Sequence, residues 1–225
     1  MSLRLEPFVN NGIYHVFNKT IDHRLVFNDD NNCIQLLNLI RYYRSNEVKF
    51  GYSQFIRLNP IVAKDYLKKI LCRRSFRVEI LSYCFMPNHF HFLLKQKKDK
   101  GISKFMGDLF NAFTRHFNLK IERKGPVFLP DFKSVMITNE AQLLHVSRYI
   151  HLNPYSNGLV DNCEKLINYP WSSLKEYIYQ NTNKLTIQKD IISIFNNDKN
   201  KYKNFVLSNA EYQKTLETVK YLNKW

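Results

Sequence analysis

Two rhythms of apolar and polar positions run through the 225 residues, and their succession predicts the elements. GIYHVFNKT (12–20) opens after a glycine, is rich in β-formers, and reads as a first strand. DDNNCIQLLNLIRYYRS begins with capping side chains, and Ile34, Leu37, Ile40 and Tyr43 recur at threes, which predicts a helix over 29–45. Residues 46–76 form a longer connection with a short basic helix after Pro60. FRVEILSYCFM is apolar on both faces, with Val78, Ile80 and Cys84 on one and Leu81, Tyr83 and Phe85 on the other. That pattern predicts a central strand covered on both sides. PNHF turns into HFHFLLK, giving an antiparallel pair.

Further on, Ile102, Phe105, Leu109, Ala112, Phe113 and Phe117 stand at helical spacing in a segment ending at Gly125. FKSVMIT reads as a fourth strand, and NEAQLLHVSRYIHLNP as a helix capped by Asn139 and stopped by Pro154. The order β-α-β-β-α-β-α predicts an α+β fold: a ferredoxin-like (RRM-like) central antiparallel sheet with one added helix. Residues 181–225 are polar and Lys/Asn-rich, and read as a helical C-terminal extension to a main unit over 1–180.

Composition adds a partner to this picture. Lys+Arg number 34 against 19 Asp+Glu, a formal net charge of +15, which points to an anionic partner, nucleic acid being the usual one. The four cysteines show no CxxC pair and no zinc-ribbon spacing, so they read as reduced thiols. No run is apolar enough for a membrane helix, and the N-terminus lacks an apolar signal region. A cytoplasmic protein is expected.

Candidate chemistry gathers on two elements. Strand alternation places His89 and His91 on one face, with Phe90 and Phe92 on the other. Two such imidazoles can hold a metal ion between them, or can be ordinary packing. The helix 140–153 carries His145, Tyr149 and Asn153 in a single stripe. An amide oxygen with two imidazoles makes a mixed site with open positions, suited to a loosely held Mg²⁺ or Mn²⁺ rather than to closed structural zinc. A tyrosine with a pKa of ~10 is a poor nucleophile at neutral pH. A divalent ion on a phosphate would make the phosphorus more electrophilic toward it. His145 reads as a surface imidazole.

MPNHFHFLL resembles the His-hydrophobic-His (HUH) motif of the IS200-like single-tyrosine (Y1) transposases. GIYHVFNKT is similar to their first strand, GPVFLPDFKS to the segment before their last strand, and YIHLNPYSNGLV to the tyrosine helix and its exit. YPWSSLKEY resembles a further element of the REP-associated subgroup. Together these cover roughly residues 10–180 in the family's order. The resemblance implies that 1–180 is a catalytic domain with an insertion at about 46–76. It implies His89, His91 and Asn153 as metal ligands and Tyr149 as nucleophile. A glutamine stands in the IS200/IS605 members where Asn153 stands here. The implied reaction is metal-dependent cleavage and strand transfer of single-stranded DNA through a 5′-phosphotyrosine, near a recognised hairpin, by a monomer or homodimer.

Basic clusters follow the histidine strand (KQKKDKGISK) and end the next helix (RHFNLKIERK). Lys19, Lys95, Lys97, Lys98, Lys100, Arg115, Lys133 and Arg148 are the expected DNA contacts, with Tyr14 or Phe17 available to stack bases. The main rival is a hairpin-binding protein, for DNA or RNA, of the same fold without catalysis, since fold alone does not fix function. The aromatic signature of RNA-recognition modules is missing from the strands, and a zinc hydrolase lacks a third His or carboxylate at ligand spacing.

Overall fold

A computed structural model describes residues 7–179 and 184–222. Its elements are β1 (Ile13–Lys19), α1 (Asp30–Tyr43), α2 (Tyr52–Phe55), α3 (Pro60–Ile70), β2 (Val78–Met86), β3 (His89–Gln96) and α4 (Gly101–Lys120). Then come β4 (Lys133–Ile137), α5 (Glu140–Ser156), α6 (Cys163–Asn168), α7 (Leu174–Ile178), α8 (Lys189–Ile192), α9 (Lys199–Leu207) and α10 (Ala210–Leu222). The expected boundary between residues 180 and 181 lies outside the described residues.

The four strands form one antiparallel sheet in the order β2-β3-β1-β4. β1 and β2 therefore run parallel with β3 between them, the mixed helix-and-sheet arrangement expected from the element order. One face carries Tyr14, Val16, Ile80, Tyr83, Phe85, Phe90, Phe92 and Leu94 against α1 and α4. The other carries Leu81, Cys84, Met86 and Leu93 against α5 and the helices after it.

Several local expectations change. β2 is wholly buried, yet it is an edge strand rather than a central one. Its outer edge is covered: Phe85 N donates to Trp171 O, Ser173 N to Tyr83 O and Ile187 N to Ile80 O. These bonds occupy backbone groups that an open edge would leave unpaired. A register shift between Ile80 and Ser82 also breaks the simple alternation. Val78 and Ile80 thus share a face with Tyr83 and Phe85, not with Cys84. In α1 the buried stripe runs through Cys33, Leu36, Leu39, Ile40 and Tyr43, which leaves Ile34 exposed.

α4 ends at Lys120, before Gly125, because Ile121 leaves helical geometry and Glu122 takes a positive φ of 51°. At the other end of α4, a Cβ on Gly101 would stand 2.3 Å from Arg77 O, so only glycine fits this start. Pro154 does not stop α5, which continues to Ser156. A proline so near the end removes one N–H of the ladder, and Asn157 N still closes onto Asn153 O at 3.1 Å.

The four cysteines are free, Cys33 and Cys84 buried, Cys72 and Cys163 exposed. Among the described residues no helix is long and apolar enough to cross a membrane.

Candidate active site

β1 and β3 bring the histidines together. Register pairs Phe17 with His91 and Lys19 with His89, so the odd-numbered residues of both strands share the face toward α5. His15 sits one step along the diagonal from His91, and its Nε2 lies 3.0 Å from His91 Nδ1. The His89 and His91 rings are 5.2 Å apart, edge to face. His89 Nδ1 lies 2.7 Å from Asn88 Oδ1.

Tyr149 on α5 reaches this group. Its ring stands edge-on to His91 at 5.5 Å and to His15 at 6.0 Å between centroids. The tyrosine and the histidine pair, far apart in sequence, thus meet on one face of the sheet. Asn153 is buried, and its amide runs along its own helix. Nδ2 donates to Tyr149 O at 2.8 Å, while Oδ1 accepts from Asn157 Nδ2 at 3.3 Å. Tyr149 O also accepts from Gln213 Nε2 of α10 at 3.2 Å. A cavity of about 250 Å³ lies between α5 and α10, lined by His15, Tyr149 and the exposed His145 on one side and Tyr212, Gln213 and Leu216 on the other. Tyr155, the other tyrosine of α5, is committed elsewhere, its hydroxyl donating to Glu211.

The histidines are held neutral. Burial lowers His15 to about 4. Burial and the nearby Lys19 charge lower His89 to about 4. Burial, the neighbouring His15 and His89, and Lys19 push His91 well below the usual imidazole range. Neutral imidazoles keep a lone pair, the form in which histidine binds metals. Among the described residues no cluster of three or more His, Cys, Asp or Glu could hold an ion. Two neutral imidazoles alone fall short of the four ligands of a closed structural zinc centre.

The expected cations scatter. Lys19 lies opposite His89, and Lys133 opposite Phe17 on the neighbouring strand, so both border the site. The GPVFLPDFKS segment runs beside them, Leu129 N donating to Lys19 O. Lys95 is paired with Asp190 at 2.7 Å. Lys97, Lys98 and Lys100 follow the far end of β3, roughly 20 Å along the chain direction from His91. Lys97 there donates to Asn11. Arg115 is on α4, across the sheet from the histidines. Arg148 turns toward α9, its guanidinium 4.5 Å from the Phe205 ring. Tyr14 points into the opposite core, whereas Phe17 shares the histidine face.

Sequence reading missed His15, Asn88 and Gln213. Strand parity alone could have flagged His15 once the β1–β3 register was known, but nothing local marked Gln213.

Residues 58–153 match the family model of IS200-like transposases. No curated protein matches the chain. Among solved structures, one is the REP-associated tyrosine transposase bound to a REP hairpin. It superposes with a TM-score of 0.53 at 17% identity, covering 83% of this chain and 91% of its own. A candidate transposase from Deinococcus radiodurans aligns at 16% identity over 66% of this chain and 95% of its own, with a TM-score of 0.36. The matched segment, similar to the IS200-like transposases, holds both histidines of β3, Tyr149 and Asn153.

Proposed function

We propose that the protein is a metal-dependent single-strand DNA endonuclease and strand transferase that cleaves through a covalent 5′-phosphotyrosine on Tyr149. The observation that carries this reading is the tyrosine ring edge-on to His91 and His15, beside His89. The reading also draws on the family match and on the hairpin held by the REP-associated transposase of similar fold.

His89 and His91 would hold Mg²⁺ or Mn²⁺, and Asn153 would add the amide oxygen that Asn157 now engages. The ion, when bound, neutralises non-bridging phosphate oxygens and orients the phosphorus for in-line attack. Lys19 and Lys133 hold the backbone on either side of the histidine face. The Tyr149 oxygen bonds to phosphorus as the bond from phosphorus to the 3′-oxygen breaks. The phenolic proton leaves to solvent, and the departing 3′-oxygen takes up a proton to become a free 3′-OH. The phosphotyrosine conserves the bond energy, so attack by another 3′-OH reseals a strand. In this reading residues 1–180 are the catalytic unit, and 181–225 form an extension whose α10 steadies the tyrosine helix through Gln213.

One observation favours the alternative, a hairpin-binding protein that does not cut: the Asn153 amide is spent within its helix. A single experiment separates the two. Incubation with single-stranded DNA hairpins from the flanks of the gene and Mg²⁺ or Mn²⁺ is expected to yield a covalent adduct that survives denaturing electrophoresis. Tyr149→Phe should abolish it while hairpin affinity and melting temperature stay nearly unchanged, since the ring is kept. Excess EDTA should abolish it as well. Hairpin binding with no adduct under any metal would establish the non-cutting alternative.

A further inference from the structure

The two β3 histidines do not stand alone: each has its Nδ1 tied to a neighbour. We infer that His15 and Asn88 are positioning residues that accept the Nδ1 protons of His91 and His89, so that both histidines present a bare Nε2 on the same side. This rests on reading His89 and His91 as the metal ligands, and it adds the groups that aim them.

A neutral imidazole carries one N–H and one lone pair, and only the nitrogen with the lone pair can bind a cation. Which nitrogen that is follows from what the other one bonds to. For His89 the partner decides alone. Asn88 Oδ1, at 2.7 Å, is an amide oxygen and can only accept. The proton therefore sits on His89 Nδ1, and Nε2 keeps its lone pair.

For His91 the partner is another imidazole, and two arrangements satisfy the 3.0 Å contact. If His15 Nε2–H donates, the His91 proton must sit on Nε2, and His91 is useless as a ligand through that nitrogen. If His91 Nδ1–H donates to His15 Nε2, both β3 histidines carry the same pattern. Their rings then offer two Nε2 lone pairs from positions two residues apart on one strand face, with centroids 5.2 Å apart. No protein hydrogen bond engages either Nε2 among the described residues. Lys19, opposite His89 in register, places an ammonium on this face, which favours lone pairs over N–H groups there. The contact and the ring spacing fit either arrangement, whereas the unengaged Nε2 atoms, which would otherwise carry an unpaired N–H, and the Lys19 charge select the second.

The test reads the tautomers directly, without metal and without DNA. Long-range ¹H–¹⁵N NMR of the full chain at pH 8 is expected to show protonated Nδ1 and bare Nε2 for both His89 and His91. In His15→Phe, His91 should become a mixture of tautomers, and its Mn²⁺ affinity, followed by paramagnetic broadening of the His89 and His91 resonances, should fall ~10–100-fold. His15→Gln, which restores an accepting oxygen, should recover most of that loss. A His91 proton on Nε2 in the unaltered protein would overturn the inference, and so would a tautomer and Mn²⁺ affinity unmoved by His15→Phe. Should the tautomers be as expected and respond to His15→Phe while Mn²⁺ broadens neither histidine, the metal reading fails and the tether stands.

Discussion

Two buried histidines on the same side of the sheet make opposite use of the same physics. His151, on α5, is fully buried and held neutral at about 3 by burial. Both its ring nitrogens are engaged, Nε2 with Ser173 Oγ and Nδ1 with the Tyr202 hydroxyl, each at 2.8 Å. Ser173 Oγ in turn accepts from Tyr83 N of β2 at 2.9 Å. The result is a closed network that fixes α5 against the edge of β2 and against α9. His91 is buried nearly as deeply and is also held neutral, but among the described residues only its Nδ1 is engaged. A buried imidazole with both nitrogens bonded is a structural strut. One with a nitrogen left over, beside a second like it and under a tyrosine, keeps a ring atom open to a ligand. Burial and a depressed pKa do not separate the two cases; counting the bonds on each ring does.

Mutation should split them by the quantity it changes. His151→Ala is expected to lower stability by about 3 kcal/mol, since it opens a cavity and removes one hydrogen-bond partner from each of two buried hydroxyls. Urea unfolding would register that loss, and adduct formation at low temperature should persist. His89→Ala combined with His91→Ala should do the reverse, abolishing the adduct while the unfolding midpoint moves far less. Equal destabilisation by both changes would dissolve the distinction.

pH treats the two regions alike, and this sharpens the point. Above the unfolded value of 6.5 these imidazoles are neutral in both states. As pH falls from 6.5 toward 4, the unfolded chain binds protons that His15, His89 and His151 refuse in the folded one. Stability is therefore full above about pH 6.5 and lost on acidification, by up to about 1.4 kcal/mol per pH unit for each histidine. Urea midpoints at pH 7 and pH 5 check this; a midpoint that rises on acidification would contradict the neutral state of the site. His151→Phe should remove part of the slope, because the titrating group is gone.

The smallest effect concerns charge around the site. If the hairpin lies over the histidine face, Lys19→Ala with Lys133→Ala should flatten the salt dependence of binding by ~0.7 per residue in log–log slope. Replacing Lys97, Lys98 and Lys100 together should flatten it less, because they follow the opposite end of β3. Fluorescence anisotropy across a salt series distinguishes the two sets.

Much of this was legible in the chain itself, because periodicity reports local geometry. The parity of His89 and His91, the Phe90/Phe92 face, the Asn139 cap and the spacing of Tyr149 on its helix all follow from repeats of two and of about three and a half. The cap is there, Asn139 accepting from Gln142 N, and so is the shared face of the histidines. Where the chain misled, the cause was a feature that periodicity averages away: the register shift in β2 and the covered edge that made an outer strand read as a central one. What sequence could not supply was any relation between elements distant in the chain. The bond from His15 to His91 depends on the β1–β3 register, the closure of His151 on Ser173 and Tyr202 joins three separate segments, and Gln213 reaches Tyr149 only because α10 packs along α5. Single-element repeats carry which side chains share a face; which faces meet is set by the summed burial of the whole core, and only the tertiary structure decided it.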